Sequence, residues 1–175
     1  MSTTKPKRSA SPEPAVRAIS RTNSPDNPVV VHLQRQVANA FVLYANYKRC
    51  HWQAYGPLFR SNQQLFDELA ADVLATLDEL ADRLRMIGQD PIATPLEVID
   101  RASVNPASIE DQRAMCEAAN EQLLEVIREL RDAQRAALDE DDPGSAEMFS
   151  HVVQVHERHE WFLRNLTRTD RDFSG

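Results

Sequence analysis

From residue 28 onward, apolar side chains recur at three- and four-residue intervals through four long stretches, and the breaks between those stretches are unequal. That spacing lays each apolar set along one stripe of an α-helix. In the first stretch Val30, Leu33, Val37, Phe41, Tyr44 and Tyr47 carry the stripe. Asp26 or Asn27 can cap it ahead of Pro28, and Gly56-Pro57 breaks it after residues 51–53. The second stretch begins near Ser61 or Asn62, carries Leu65, Phe66, Leu69, Val73, Leu77, Leu80, Leu84 and Ile87, and stops at Gly88. At 1.5 Å per residue it is roughly 40 Å long. The third opens with Ser108-Ile109-Glu110-Asp111, similar to a capping box, and runs to about Leu138. A turn over residues 139–144 leads to the fourth, from about Ser145 to Leu166.

The link between the second and third stretches, residues 89–107, is long and punctuated by Pro91, Pro95 and Pro106. It must recross the length of the bundle, so the expected fold is all-α, a ferritin-like four-helix bundle rather than a simple up-and-down one. Thr94-Pro95-Leu96-Glu97 reads as the capped start of a short helix inside this link. The bundle is expected over residues 29–168, between an arm (1–28) and a C-terminal tail (169–175). Only four glycines interrupt the chain, and Ala, Leu, Glu, Arg, Asp and Gln, mostly good helix formers, are plentiful. No apolar run is long enough to cross a membrane, and no secretory h-region opens the chain, so a cytoplasmic location is expected. Cys50 and Cys116 form no Cys-x-x-Cys pair and are expected to stay reduced.

Charge is unevenly placed. The net charge is -7, yet the arm is basic, with Lys5, Lys7, Arg8, Arg17 and Arg21 against Glu13 and Asp26. An acidic body attracts cations; a basic arm rich in Ser, Thr and Pro either solubilises or makes non-specific, salt-sensitive phosphate contacts with DNA.

Di-iron sites inside ferritin-like bundles use Glu-x-x-His, and this chain has none. The second helix instead carries Asp67, Asp78 and Asp82. Eleven residues make nearly three turns, so Asp67 and Asp78 share a face, and Asp82 follows Asp78 by one turn. Asp67 and Asp78 lie about 16 Å apart along the axis, too far to share one ion within a chain. Antiparallel two-fold pairing of this helix about residues 72–75, where Ala71 and Ala75 permit close approach, would bring Asp67 of one subunit to Asp78 and Asp82 of its mate, twice per dimer. On spacing alone, ordinary solvated helix charges are the favoured reading of these aspartates.

Lys48-Arg49-Cys50-His51-Trp52, Gly56-Pro57-Leu58-Phe59, Leu65-Phe66-Asp67-Glu68-Leu69, Asp78-Glu79-Leu80-Ala81-Asp82-Arg83-Leu84 and Ile87-Gly88 resemble the Dps family, the mini-ferritins first described as DNA-binding proteins of starved cells. Glu157-Arg158-His159-Glu160-Trp161-Phe162-Leu163 is similar to the family's closing helix. The resemblance, over residues 30–168, implies a hollow homo-dodecamer joined through two-fold and three-fold interfaces. Ferrous iron would be oxidised by peroxide or dioxygen between subunits and stored as ferric mineral. It implies His51, Asp67, Asp78 and Asp82 as catalytic metal ligands, with Trp52 near the site. Gln63 stands where the family has a second His, and Asp82 where it has Glu. Gln63 offers only a neutral amide, and Asp82 is one methylene short, so a weakened second iron position or an altered choice of oxidant is expected, with a metal-binding shell that stores without catalysis as the alternative. Zinc is a competitor for such a donor set.

His156 falls on the apolar stripe of the fourth helix, either as a core residue or as an additional ligand. His159 reads as structural, and His151 and His32 as surface residues. Asp139, Glu140, Asp141 and Asp142 place four carboxylates at a helix C-terminus, against the dipole. The resemblance implies that Asp141, Asp142 and Glu147 line an iron-entry pore; a solvated acidic turn is the plainer alternative.

Overall fold

Asn27 opens the first helix. Its side chain accepts a 2.8 Å hydrogen bond from the Val29 amide, and Pro28 follows at the first helical position, where its missing N–H costs nothing. The computed structural model of the protein describes residues 24–106 and 111–168. Among the described residues there are five helices: α1 (Pro28–Gln53), α2 (Phe59–Met86), α3 (Pro95–Arg101), α4 (Gln112–Asp139) and α5 (Pro143–Thr167). There is no strand among the described residues. Lys5, Lys7, Arg8 and the C-terminal tail lie outside the described residues.

α1 packs along α2, and α4 along α5; α1 also packs on α4, and α2 on α5, closing a four-sided bundle. Its core is a continuous column that includes Leu33, Leu43, Tyr47, Phe66, Leu80, Leu84, Leu123, Leu130, Phe149 and Leu163. Each fully buried Leu or Phe contributes about 2 kcal/mol of hydrophobic stabilisation. The all-α architecture with a short helix in the long connection is the one the apolar periods and link lengths predict.

The connection is fastened to α1 by buried amides. Gln34 donates to the Asp90 carbonyl (2.8 Å) and accepts from the Ile92 amide (3.0 Å). Asn39 accepts from the Ser103 amide (2.9 Å), and Asn46 donates to the Asn105 carbonyl (3.3 Å). Thr94 and Glu97 form the reciprocal capping box that starts α3, as the sequence suggests. α3 buries none of its own residues and holds Leu96 and Ile99 outward.

Two boundaries differ from expectation. α2 starts at Phe59, not at Ser61 or Asn62, because Gly56 (φ +82°) turns the chain sharply enough for the helix to begin at once, without a side-chain cap. α4 is capped by Asp111, whose side chain accepts from the Ala114 amide (2.8 Å); the Ser108 cap falls on residues outside the described ones.

Candidate metal centre

His51 sits in the last turn of α1, half-buried, where the chain is about to leave for α2. Its Nδ1 lies 2.8 Å from the backbone carbonyl of Gln63. A carbonyl only accepts, so Nδ1 carries a proton, and in the neutral ring the lone pair is on Nε2. This is the arrangement by which a backbone carbonyl orients a metal-ligating imidazole. His51, Arg60, Gln63, Gln64 and Asp67 line an open cleft of about 290 Å³.

Asp67, exposed on α2, is held by Lys48 of α1 through a 2.5 Å ion pair. The hydrogen bond and charge of that ammonium, with a smaller contribution from His51, keep the Asp67 carboxyl below the usual carboxylate range. The same ammonium stands 5.9 Å from the centre of the Trp52 ring, which is itself exposed. Nothing in the local sequence pattern singles out Lys48 as the partner of Asp67, because the pairing crosses between helices.

Asp78 and Asp82 are exposed on α2, as are Ala71 and Ala75. Leu74 between them is an exposed large apolar side chain, and Met86 extends the apolar surface toward the helix end. The structure thus groups His51, Gln63 and Asp67 in one cleft and leaves Asp78 and Asp82 further along the same helix. Among the described residues of one chain, no three His, Cys, Asp or Glu side chains converge on a common point.

His156 joins neither group. It is buried inside the bundle, 5.6 Å ring to ring from His159, so it does not extend the cleft as a further ligand. Burial, and then the neighbouring His159, push its pKa down to about 3. His159 is also interior, with Nε2 3.3 Å from Asp72. His151 is on the surface, 3.7 Å from Glu79, whereas His32 is half-buried rather than superficial, and burial lowers its pKa.

The acidic turn also needs a correction. Asp142 is not free to line a pore. It is buried and caps α5, accepting from the Ser145 amide (3.0 Å) and hydroxyl (2.7 Å), and it pairs with Arg83 of α2 at 2.6 Å. The turn is tight, and Asp142 belongs to the N-terminus of the next helix, where a negative charge is favourable, while Asp139, Glu140 and Asp141 stay at the C-terminal end of α4. Glu140 accepts from Asn27 (3.0 Å). Asp141 (φ +57°) and Glu147 remain exposed.

A four-helix bundle whose second and third long helices are joined by a long connection carrying a short helix is a ferritin-like architecture, and the chain has no Glu-x-x-His. The Ferritin family model, a ferritin-like domain, matches residues 30–172. The DNA protection during starvation protein of Brevibacillus brevis is 34% identical over 136 residues, covering 77% of this chain and 91% of that protein. The crystal structure of Dps from Thermosynechococcus elongatus superposes with a TM-score of 0.80 at 37% identity, over 85% of this chain and 96% of the other. That of Dps from Bacillus brevis gives 0.77 at 33%, over 80% and 95%. The chain belongs to the Dps family of ferritin-like proteins. No helix among the described residues is long and apolar enough to cross a membrane.

Proposed function

We propose that the protein is a ferroxidase and iron-storage subunit, whose site is completed by antiparallel two-fold pairing of α2. His51 and Asp67 of one subunit would face Asp78 and Asp82 of the partner subunit, with Gln63 as a neutral amide at the edge. The observation that carries this reading is the half-built site: an imidazole whose Nε2 lone pair is fixed by the Gln63 carbonyl beside a carboxylate in an open cleft, with two more carboxylates displaced along the same helix. The exposed Leu74 and Met86 of α2, with Leu96 and Ile99 of α3, are apolar surface that such an assembly would bury.

Ferrous iron is the substrate. Imidazole and carboxylate donors suit it, and zinc competes for them. Lys48 holds Asp67 until a cation displaces it. Two ferrous ions each give one electron to hydrogen peroxide, which takes up two protons and leaves as two waters; dioxygen as oxidant would instead leave as peroxide. Asp141 and Glu147, without Asp142, would line the entry path into a twelve-subunit cytoplasmic shell that holds the ferric mineral. Anaerobic ferrous loading followed by stopped-flow absorbance with either oxidant tests this. Fast oxidation that Asp78→Ala abolishes supports the interface site; a rate that Asp78→Ala leaves unchanged refutes it.

DNA binding through the arm is a second reading, favoured by the arm's basic composition and by the relatives' names. Deleting residues 1–23, which removes all five basic residues of the arm and keeps the Asn27 cap and Pro28 of α1, should remove salt-sensitive DNA binding and leave iron oxidation intact.

A further inference from the structure

The interior of the bundle holds a polar cluster that the proposed chemistry does not use. Tyr47 of α1 packs edge-on against His159 of α5 (5.8 Å between ring centres), and His159 packs against His156 one turn earlier (5.6 Å). All three are at most 2% exposed. The Tyr47 hydroxyl, His156 Nδ1 and His159 Nδ1 are enclosed, and none has a hydrogen-bond partner in the protein. Three orphaned polar atoms in one contiguous cluster are rare in a folded interior, because each loses its hydration without replacement.

His159 has defined polarity. Its Nε2 lies 3.3 Å from Asp72 Oδ2, a carboxylate that also accepts from Arg158 (2.8 Å). A proton on Nε2 facing that carboxylate leaves a lone pair on Nδ1, the enclosed atom that has no partner in the protein. A carboxylate behind an imidazole is the usual outer support of a metal-binding histidine. The spacing also fits. With metal–nitrogen distances of about 2.0–2.1 Å, two imidazoles on one tetrahedral ion carry their ring centres about 5 Å apart. Burial keeps His156 neutral, as a ligand must be.

We propose that His156 and His159 form a second cation site, inside the bundle and separate from the interface carboxylates, that takes a nitrogen-preferring divalent ion of the zinc class. Two imidazoles with no carboxylate in direct reach select zinc, cobalt or copper over ferrous iron. The Tyr47 hydroxyl, the third unpartnered polar atom of the cluster, is a further group for whatever water completes the coordination. The site is a place where such an ion can lodge without blocking the carboxylates that handle iron.

The test uses the full-length assembly carrying Asp78→Ala and Asp82→Ala, so that the interface carboxylates do not compete, with Co²⁺ alone as the probe. The expected result is one Co²⁺ per subunit with the intense visible absorption of four-coordinate cobalt, lost on adding Zn²⁺ and weakened at least tenfold in affinity by His156→Gln. No such absorption, or absorption that His156→Gln leaves undiminished, overturns the proposal. X-ray absorption of the Asp78→Ala, Asp82→Ala assembly loaded with one zinc per subunit needs no histidine variant: two imidazole shells per zinc support the site, and one or none refutes it.

Discussion

Replacing Asp142 with Ala separates two readings of the acidic turn. In the structure Asp142 is the N-cap of α5 and the partner of Arg83. Loss of an N-cap acceptor costs about 1 kcal/mol. The substitution also strands the Arg83 guanidinium, whose side chain is 21% exposed and which keeps one hydrogen bond to the Ser145 hydroxyl (2.9 Å). A fully buried stranded charge costs about 3–5 kcal/mol, and partial hydration here brings the figure to about 1–2. The total is about 2–3 kcal/mol, which for a domain of this size lowers Tm by about 5–10 °C. Asp142→Asn keeps the cap and loses the charge, so it should fall between wild type and Ala. Calorimetry of both variants beside stopped-flow iron loading is the assay. The expected pattern is a lowered Tm with an unchanged loading rate in the assembled fraction. An unchanged Tm with slowed iron entry would refute the anchoring argument and return Asp142 to the pore.

Three further outcomes follow from the geometry. Gln63→His with Asp82→Glu supplies an imidazole and a longer carboxylate, and stopped-flow oxidation should accelerate at least about tenfold if the native donors limit the second iron position; an unchanged rate counts against that limitation. His156 is held neutral when folded and takes a proton when unfolded. Its contribution is therefore fully present above about pH 6.5 and falls by about 1.4 kcal/mol per unit as pH drops toward 3. Denaturation of the chelator-treated protein should show that part of the slope removed in His156→Phe, while the part due to His159, whose pKa burial also lowers between Asp72 and Arg158, remains. Asn39→Ala orphans the Ser103 amide and disturbs the Glu129 contacts, and should cost about 2 kcal/mol in chemical denaturation; a loss under about 0.5 kcal/mol would show that the connection does not depend on it.

The helices and their order were legible because the core is built from one-faced apolar stripes: Leu33, Val37 and Tyr47 on α1, and Leu69, Val73 and Leu80 on α2, are all buried as their spacing requires. The short helix was legible from the local chemistry of Thr94, Pro95 and Glu97. What periodicity could not supply were pairings between distant elements. Lys48 on Asp67, Asp72 on His159 and Arg83 on Asp142 each join residues with no fixed sequence offset, and all three alter what a carboxylate is free to do. The acidic turn shows the same limit: four consecutive carboxylates look alike in sequence, and only the turn geometry assigns the last of them to the following helix. His156 was legible as an apolar-stripe residue, but its neighbours were not.

The amides of α1 act on the long connection as a ruler. Gln34, Asn39 and Asn46 span about 18 Å of helix, and they fix Asp90 with Ile92, then Ser103, then Asn105, in that order. Chain length between two marks cannot drift without pulling a backbone group off its mark. Insertions and deletions in this stretch are therefore confined to the segment that bulges away from the ruler, residues 93–102, or to the chain beyond Asn105. The first of these carries α3. A change in loop length there would move Leu96 and Ile99 across the surface while the bundle beneath kept its register, so the shape presented to a neighbouring molecule can vary between descendants of one fold without any cost to its core.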